Sequence, residues 1–122
     1  MDNDIEVIRQ SLDLSNTIGE GLEYIKLRFE GGHFEETLIL FQDVIQALIS
    51  IQKAVQPIAA NLSSNQLEPL IANINYSLED VIAEFEKGNW SMTTGIIEQT
   101  LLPAYYKWQE ELERCFVSHI AS

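Results

Sequence analysis

At 122 residues, with 46% hydrophobic and 21% charged residues, the chain has the size and composition of a soluble protein with one domain and one core. Nineteen acidic residues against seven basic ones give a net charge of −12, which disfavours binding to nucleic acid or to anionic lipid. The single cysteine cannot form an internal disulfide, and the N-terminus lacks a signal-peptide pattern. No uncharged apolar run is long enough to span a bilayer, so we expect a cytoplasmic protein with no membrane segment.

The first predicted helix begins near Asp4, whose carboxylate can cap free amides, and ends at the Gly31-Gly32 pair. Its apolar residues recur at helical spacing and form one stripe, made of Ile8, Leu12, Ile18, Leu22, Ile25 and Phe29. The second helix starts at His33 or Phe34. It carries a wider apolar arc that is typical of a helix packed between two neighbours: Phe34, Leu38, Phe41, Val44, Ile45, Leu48, Ile51 and Val55.

Pro57 and the polar cluster 61–65 mark the break before the third helix, where Ser63 and Asn65 each begin a possible capping box. The third helix presents Leu67, Ile71, Ile74, Leu78, Val81, Ile82 and Phe85, and it ends at Gly88. Asn89 is then a suitable N-cap for the fourth helix, which faces inward with Trp90, Ile97, Leu101, Ala104, Tyr105, Trp108, Leu112 and Phe116. Pro103 should kink or loosen this helix, because it removes the hydrogen bond to the carbonyl of Gln99.

The two halves of the chain are an internal duplication. The stretch 85–90 repeats the stretch 29–34, and a gapless alignment at this offset of 56 positions also pairs Leu22 with Leu78, Phe41 with Ile97 and Ile45 with Leu101. Each copy predicts two helices joined by a glycine turn. We therefore predict an all-α, up-down-up-down four-helix bundle over residues 1–122, with repeats at about 5–60 and 65–118. Two hairpins exchanged between chains are the alternative, which the short joint between the hairpins disfavours.

The second copy carries the motifs Gly88-Asn89-Trp90, Ile96-Ile97-Glu98 and Leu101-Leu102-Pro103, followed by Trp108. In these motifs the chain resembles an uncharacterised family of small all-helical bacterial domains, found in Firmicutes alone or appended to larger glycosyltransferase-like or motility-associated proteins. The resemblance covers about the last third of the chain. Members carry acidic residues where this chain has Gly95 and Thr100, and the family supplies no catalytic residues. The resemblance implies an accessory or interaction module.

Few residues of the chain suit catalysis or metal binding. Glu111, Cys115 and His119 lie four apart along one helix face, but at most two of them could bind one ion without help from another helix. Glu30 and His33 have the spacing of a di-iron motif but fall across the two glycines. The sequence has no phosphate-binding glycine loop and no nucleophile elbow. We therefore predict no catalytic, cofactor-binding or metal-binding residues, and no enzyme.

The aromatic residues at the glycine turns, Phe29, Phe34, Phe85 and Trp90, are predicted to pack together as a cap on that end of the bundle. Other bulky residues project onto the outer faces at 100° per residue, and their duplicate partners are mostly small or polar: Tyr24, Leu27, Ile39, Tyr76, Leu102 and Tyr106. In particular, Gln46 and Ser50 are the gapless counterparts of Leu102 and Tyr106. The bundle itself does not require such side chains, so they are candidates for contact with a partner.

The sequence therefore favours an acidic bundle that binds protein, either a partner or a second copy of itself. The expected partner-binding residues are Tyr24, Leu27, Ile39, Leu102 and Tyr106. A small-ligand or metal-binding bundle, with a pocket opened near Pro103 and lined by Tyr105 and Trp108, is the second hypothesis. An enzyme that acts through unidentified residues is the third.

Overall fold

The computed structural model describes residues 2–62 and 65–121, and the side chains of residues 4–62 and 65–118. The described residues form helices and turns, with no strand among them. The helices are α1 (Asp2–Glu30), α2 (Phe34–Ala59), α3 (Leu67–Glu86), α4 (Trp90–Ile96) and α5 (Leu102–Ala121). A π-helical turn, Ile97–Leu101, joins α4 to α5, so these three segments make one continuous fourth helix. The predicted all-α four-helix bundle is confirmed.

The core lies along the inner faces of all four helices, and its largest fully buried side chains include Trp108, Tyr105, Phe29 and Phe116. Close backbone contacts join α1 to α2, α1 to the fourth helix, and α3 to the fourth helix. By contrast, α2 and α3 follow each other in the chain but have few such contacts. One side of the bundle is therefore packed less closely than the other three.

The two glycine turns have the same geometry. Gly32 and Gly88 have φ values of 85° and 72°, a left-handed conformation that glycine adopts without steric cost. In each turn the glycine N–H donates to the carbonyl three residues back, and the next residue donates to the carbonyl five residues back, all at 3.0 Å. These paired bonds define a Schellman motif at both helix ends. The predicted equivalence of Gly32 and Gly88 in the two hairpins is thus confirmed.

Several predicted helix ends and caps differ from the structure. α1 begins at Asp2 rather than near Asp4, and Pro57 lies inside α2, which continues to Ala59. The Asn89 side chain does not cap the fourth helix, because its amide donates to the Glu84 carboxylate at 2.9 Å. At the start of α3, Asn65 Oδ1 accepts the Leu67 N–H at 3.2 Å. The predicted capping box at Ser63 lies outside the described residues.

The π-helical turn shifts the register of the second copy by one residue. Its characteristic bond joins the N–H of Leu102 to the carbonyl of Ile97, five residues back. The next residue is Pro103. Proline has no backbone N–H, and the wider turn leaves no hydrogen bond at this position that would require one. Before the turn, buried Thr93 matches Thr37 at an offset of 56. After it, the buried positions match at 57: Leu101 with Val44, Tyr105 with Leu48, Trp108 with Ile51 and Leu112 with Val55.

The gapless alignment and the 100° projection are therefore wrong beyond Ile97. Leu102 was expected on the outer face, but it is buried with 4% of its surface exposed, because the π turn places it beneath Ile97. The structural counterpart of Leu102 is Ile45, and that of Tyr106 is Ile49. Gln46 and Ser50 are not their equivalents, so Leu102 belongs to the core and is withdrawn as a partner-binding residue.

α2 is the most apolar helix, and its length and composition are sufficient to cross a membrane, with a mean hydropathy of 1.4 over its best window. Core helices of soluble proteins meet the same criteria, and α2 contributes Phe41, Leu48 and Ile51 to the core. Of that window, 28% is buried in the bundle. Ile39 and Ile49 are the large hydrophobic residues of α2 that remain exposed.

Candidate functional site

The aromatic cap at the glycine turns is a packed structure. The rings of Phe34 and Trp90 stack at 4.6 Å, and those of Phe29 and Phe85 stack at 6.0 Å. Each hairpin also packs its own pair, since Phe29 lies 5.3 Å from Phe34 and Phe85 lies 5.2 Å from Trp90. The predicted aromatic cap is confirmed. Because the four rings pack against one another, we assign them a structural role.

Glu111, which the sequence analysis considered and rejected as a metal ligand together with Cys115 and His119, binds other residues of the chain. Arg114 donates to both Glu111 oxygens, at 2.7 and 2.9 Å, and Glu111 also accepts the Gln66 N–H at 2.7 Å. These bonds, led by those from Arg114, lower the pKa of Glu111 to about 2. Burial raises the pKa of the Cys115 thiol, and the His119 side chain lies outside the described residues. Among the described residues, no three His, Cys, Asp or Glu side chains converge on one point.

The other predicted partner-binding residues are exposed, but they lie on three different helices. Tyr24 and Leu27 are more than half exposed on adjacent turns of α1, and Ile39 is 71% exposed on α2. Tyr106 on α5 is 41% exposed, and its hydroxyl donates to Glu23 at 2.8 Å. Burial and this hydrogen bond raise the pKa of Tyr106 to about 12. Tyr106 thus ties α5 to α1, which gives it a role within the bundle.

Polar side chains form hydrogen bonds between the fourth helix and α1. This helix contact is here called the closed seam. Besides the Tyr106 bond, Gln109 donates to Ser15 Oγ and Asn16 Oδ1, at 3.3 and 3.0 Å. The buried Tyr105 hydroxyl donates to the Ser15 carbonyl. A Cβ at Gly19 would lie 3.5 Å from the Tyr105 ring, an ordinary van der Waals contact, so α1 and the fourth helix lie close together at this point.

The corresponding contact between α2 and α3, here called the open seam, lacks most of these hydrogen bonds. Gln52, the counterpart of Gln109, makes one long hydrogen bond, 3.5 Å to Asn75 Oδ1. Asn75 stands where the first copy has Gly19, and its side chain accepts this bond from Gln52. Ile49, the counterpart of Tyr106, is 37% exposed and has no hydroxyl to bridge the seam. The duplication therefore produces two equivalent helix contacts. Only the contact between α1 and the fourth helix is closely packed and hydrogen-bonded.

Apolar side chains line both sides of the open seam. The bond between Gln52 and Asn75 sets the register of these antiparallel helices, so Ile49 lies level with Leu78, and Ile45 with Ile82. Ile82 is 39% exposed, Leu78 is 8% exposed and Ile45 is half-buried. The open seam thus presents a row of aliphatic side chains that the bundle covers only in part.

A cavity of about 560 Å³ forms the end of the open seam beside the joint between α2 and α3. The lining of this cavity includes Gln52, Gln56 and Ile71, which also belong to the open seam. Pro103 does not line the cavity. Trp108 also contributes to the lining. Its indole N–H is buried and has no hydrogen-bond partner among the described residues. A buried donor of this kind favours an acceptor from outside the bundle, whether water, ligand or partner.

The helices on either side of the open seam are strongly acidic. α3 contains five acidic residues and no basic one, and α2 contains three acidic residues with Lys53 as its only cation. Glu68 lines the cavity. Glu79 matches Glu23, which faces the fourth helix through Tyr106, so Glu79 faces α2 by the same geometry. The apolar groups of the open seam therefore lie between two helices that both carry net negative charge.

The open seam is not visible when the two copies are aligned at one offset throughout, because the π turn changes the offset after Ile97. The available signal was the pair Gly19 and Asn75, which lies before the π turn and aligns correctly at 56. A glycine at this position in one copy and an amide side chain in the other indicate that the two seams differ in packing.

Comparison with known proteins supports a family assignment. The family model of a domain of unknown function, DUF8042, matches residues 6–111, which include all four helices in whole or part. No curated protein matches the chain significantly, and no solved structure does so either.

Proposed function

Since the chain belongs to the DUF8042 family of domains of unknown function, we propose its role from its geometry: it is a non-enzymatic protein-interaction module that receives its partner in the open seam. The observation that carries the proposal is the unequal packing of two seams that the duplication makes equivalent. The closed seam buries Leu102, whereas its counterpart Ile45 is only half-buried, and close backbone contacts join α1 to the fourth helix but few join α2 to α3.

Exposed aliphatic groups in a groove support protein binding because covering them removes apolar surface from water. Full burial of one exposed isoleucine side chain contributes about 1.5–3 kcal/mol, and Ile49, at 37% exposed, leaves roughly a third of that for a partner to supply. In helix-in-groove recognition, an amphipathic helix places its apolar face in a hydrophobic groove. Ile45, Ile49 and Gln52 lie on one face of α2 and form one wall of the open seam.

The proposal includes a cytoplasmic location, to which the net charge and the single cysteine are suited. The same charge disfavours an anionic lipid surface as the occupant of the exposed side of α2. We also propose that relatives occur in bacteria, alone or appended to larger proteins. A small bundle with one open groove suits such an accessory position.

Affinity capture from the source cells tests the role. The bait is the whole chain, compared with the double variant Ile49→Ser with Ile82→Ser, which removes seam surface without adding charge. Ile39→Ser is the matched control, because Ile39 is a more exposed isoleucine of the same helix outside the seam. Leu27→Ser probes the outer face of α1 that the sequence favoured.

We expect the wild type, Ile39→Ser and Leu27→Ser to retain the same partner and the seam variant to lose it, with unchanged circular dichroism in all four. Loss of the partner with Leu27→Ser or Ile39→Ser, and not with the seam variant, would move the binding face to the outer surface. Retention by every variant would contradict binding through any of these residues.

A further inference from the structure

We infer that the occupant of the open seam is a cationic amphipathic helix of another protein, with its apolar face on the seam isoleucines and Lys or Arg residues along its edges. This inference rests on the proposed function and adds the chemistry of the partner. It depends on three features of the seam: its charge, its shape and its buried donor.

Charge complementarity selects the sign of the partner. The two helices that border the seam hold eight acidic residues and one basic residue. Glu68 and Glu79 lie at the seam itself. Two carboxylates at an apolar groove between net-negative helices attract a cation and repel an anion, which gives specificity and faster association more than raw affinity.

The same charge argues against a second copy of this chain. Two copies joined face to face along their open seams would bring together four helices of net negative charge, with Glu68 and Glu79 of both copies at the contact. Each molecule also carries a net charge of −12. Like charges brought together across an interface disfavour association. A partner with basic residues neutralises this field instead of doubling it.

The shape of the seam suits a helix. From Ile45 to Ala59 the groove runs along about four turns of α2, roughly 20 Å at the rise of an α-helix. It widens at one end into the cavity of about 560 Å³, where a large side chain of the partner can be enclosed. The Trp108 indole contributes to the lining at this end, and its N–H is buried without a partner among the described residues.

Synthetic peptides test the inference directly. The probe is an amphipathic helix of roughly 18 residues, about five turns, with leucines on one face and lysines on the other. Its twins replace every lysine by glutamine or by glutamate, and a scrambled peptide keeps the lysines but loses the apolar stripe. The protein carries Trp90→Phe, the residue of the first copy, so that Trp108 is the sole tryptophan and its emission reports on the cavity.

We expect the lysine peptide to shift the Trp108 emission and to bind about tenfold or more tightly than the glutamine twin, with the preference lost at high salt. The glutamate twin and the scrambled peptide should bind far more weakly. Ile49→Ser with Ile82→Ser should reduce binding of the lysine peptide at least tenfold, and Ile39→Ser should not. Glu68→Gln with Glu79→Gln should reduce the preference for lysine, whereas Glu20→Gln on α1 should leave it unchanged.

The other outcomes separate this inference from the proposed function. Equal binding of the lysine and glutamine peptides through Ile49 would overturn the cationic partner and leave the interaction role standing. Equal binding of the scrambled peptide would show attraction by charge alone, without a docked helix, and would also overturn it. A dimer in sedimentation, dissociated by Ile49→Ser, would assign the seam to a second copy. Failure of every peptide to bind would exclude a helix as the occupant.

Discussion

Leu102→Ala tests the one-residue shift that the π turn introduces. Leu102 is 4% exposed, so its truncation removes buried methyl groups and leaves a cavity. Substitutions of this type cost about 2–5 kcal/mol, and we expect about 3 kcal/mol here. For a domain of this size, that loss corresponds to a melting temperature lower by roughly 10 °C. Ile45→Ala changes the structural counterpart in the half-buried open seam, and it should cost only about 1 kcal/mol.

Urea unfolding followed by circular dichroism measures both variants, with the slope of the transition checked against the wild type. The expected result is a large loss of unfolding free energy for Leu102→Ala and a small one for Ile45→Ala. If the gapless alignment held, Leu102 would correspond to exposed Gln46, and its truncation would stay within about 0.5 kcal/mol, as for surface positions. That result would refute the register shift and, with it, the pairing of the two seams.

The remaining predictions concern the turns, one carboxylate and metal. Gly32→Ala and Gly88→Ala should each lose about 1 kcal/mol in thermal unfolding, because both glycines have positive φ, whereas Gly95→Ala in open space inside α4 should not destabilise. The folded pKa of Glu111 lies below the ordinary carboxyl value, so its stabilising effect is present above that value and is lost as the pH falls toward 2. Melting temperatures from pH 6 to pH 2 should thus fall more steeply in the wild type than in Glu111→Gln, and parallel curves would contradict this. Zinc should leave the melting temperature unchanged; a rise of several degrees, abolished by Cys115→Ser, would indicate a metal site.

The fold could be predicted from the sequence because its signals are local and repeated. The glycine turns place Gly32 and Gly88 at matching points, and the aromatic residues beside them occur in both copies. Helical spacing of apolar residues then assigns the inner faces. The helix ends were less predictable. Pro57 lies inside α2, and Glu111 of the fourth helix accepts a hydrogen bond from the N–H of Gln66, the N-cap residue of α3. A bond across 45 residues has no local signal.

The candidate site could not be predicted because it depends on one residue of register. A projection at constant angle treats the fourth helix as regular, and Pro103 gave reason to expect a kink without indicating a π turn. The turn moves Leu102 from the predicted surface to the core and pairs Tyr106 with Ile49. After that correction, the open seam can be recognised as the equivalent of the closed seam without most of its hydrogen bonds.

Isoleucine methyl NMR is the most direct test of the open seam as the docking face. The chain, labelled at its isoleucine methyl groups, is titrated with the lysine-bearing helical peptide. We predict the largest shift changes at the seam methyls of Ile45, Ile49, Ile71 and Ile82, with the methyl of Ile39 unmoved as the exposed reference on α2. Changes centred on Ile39, with the seam methyls unmoved, would contradict the account.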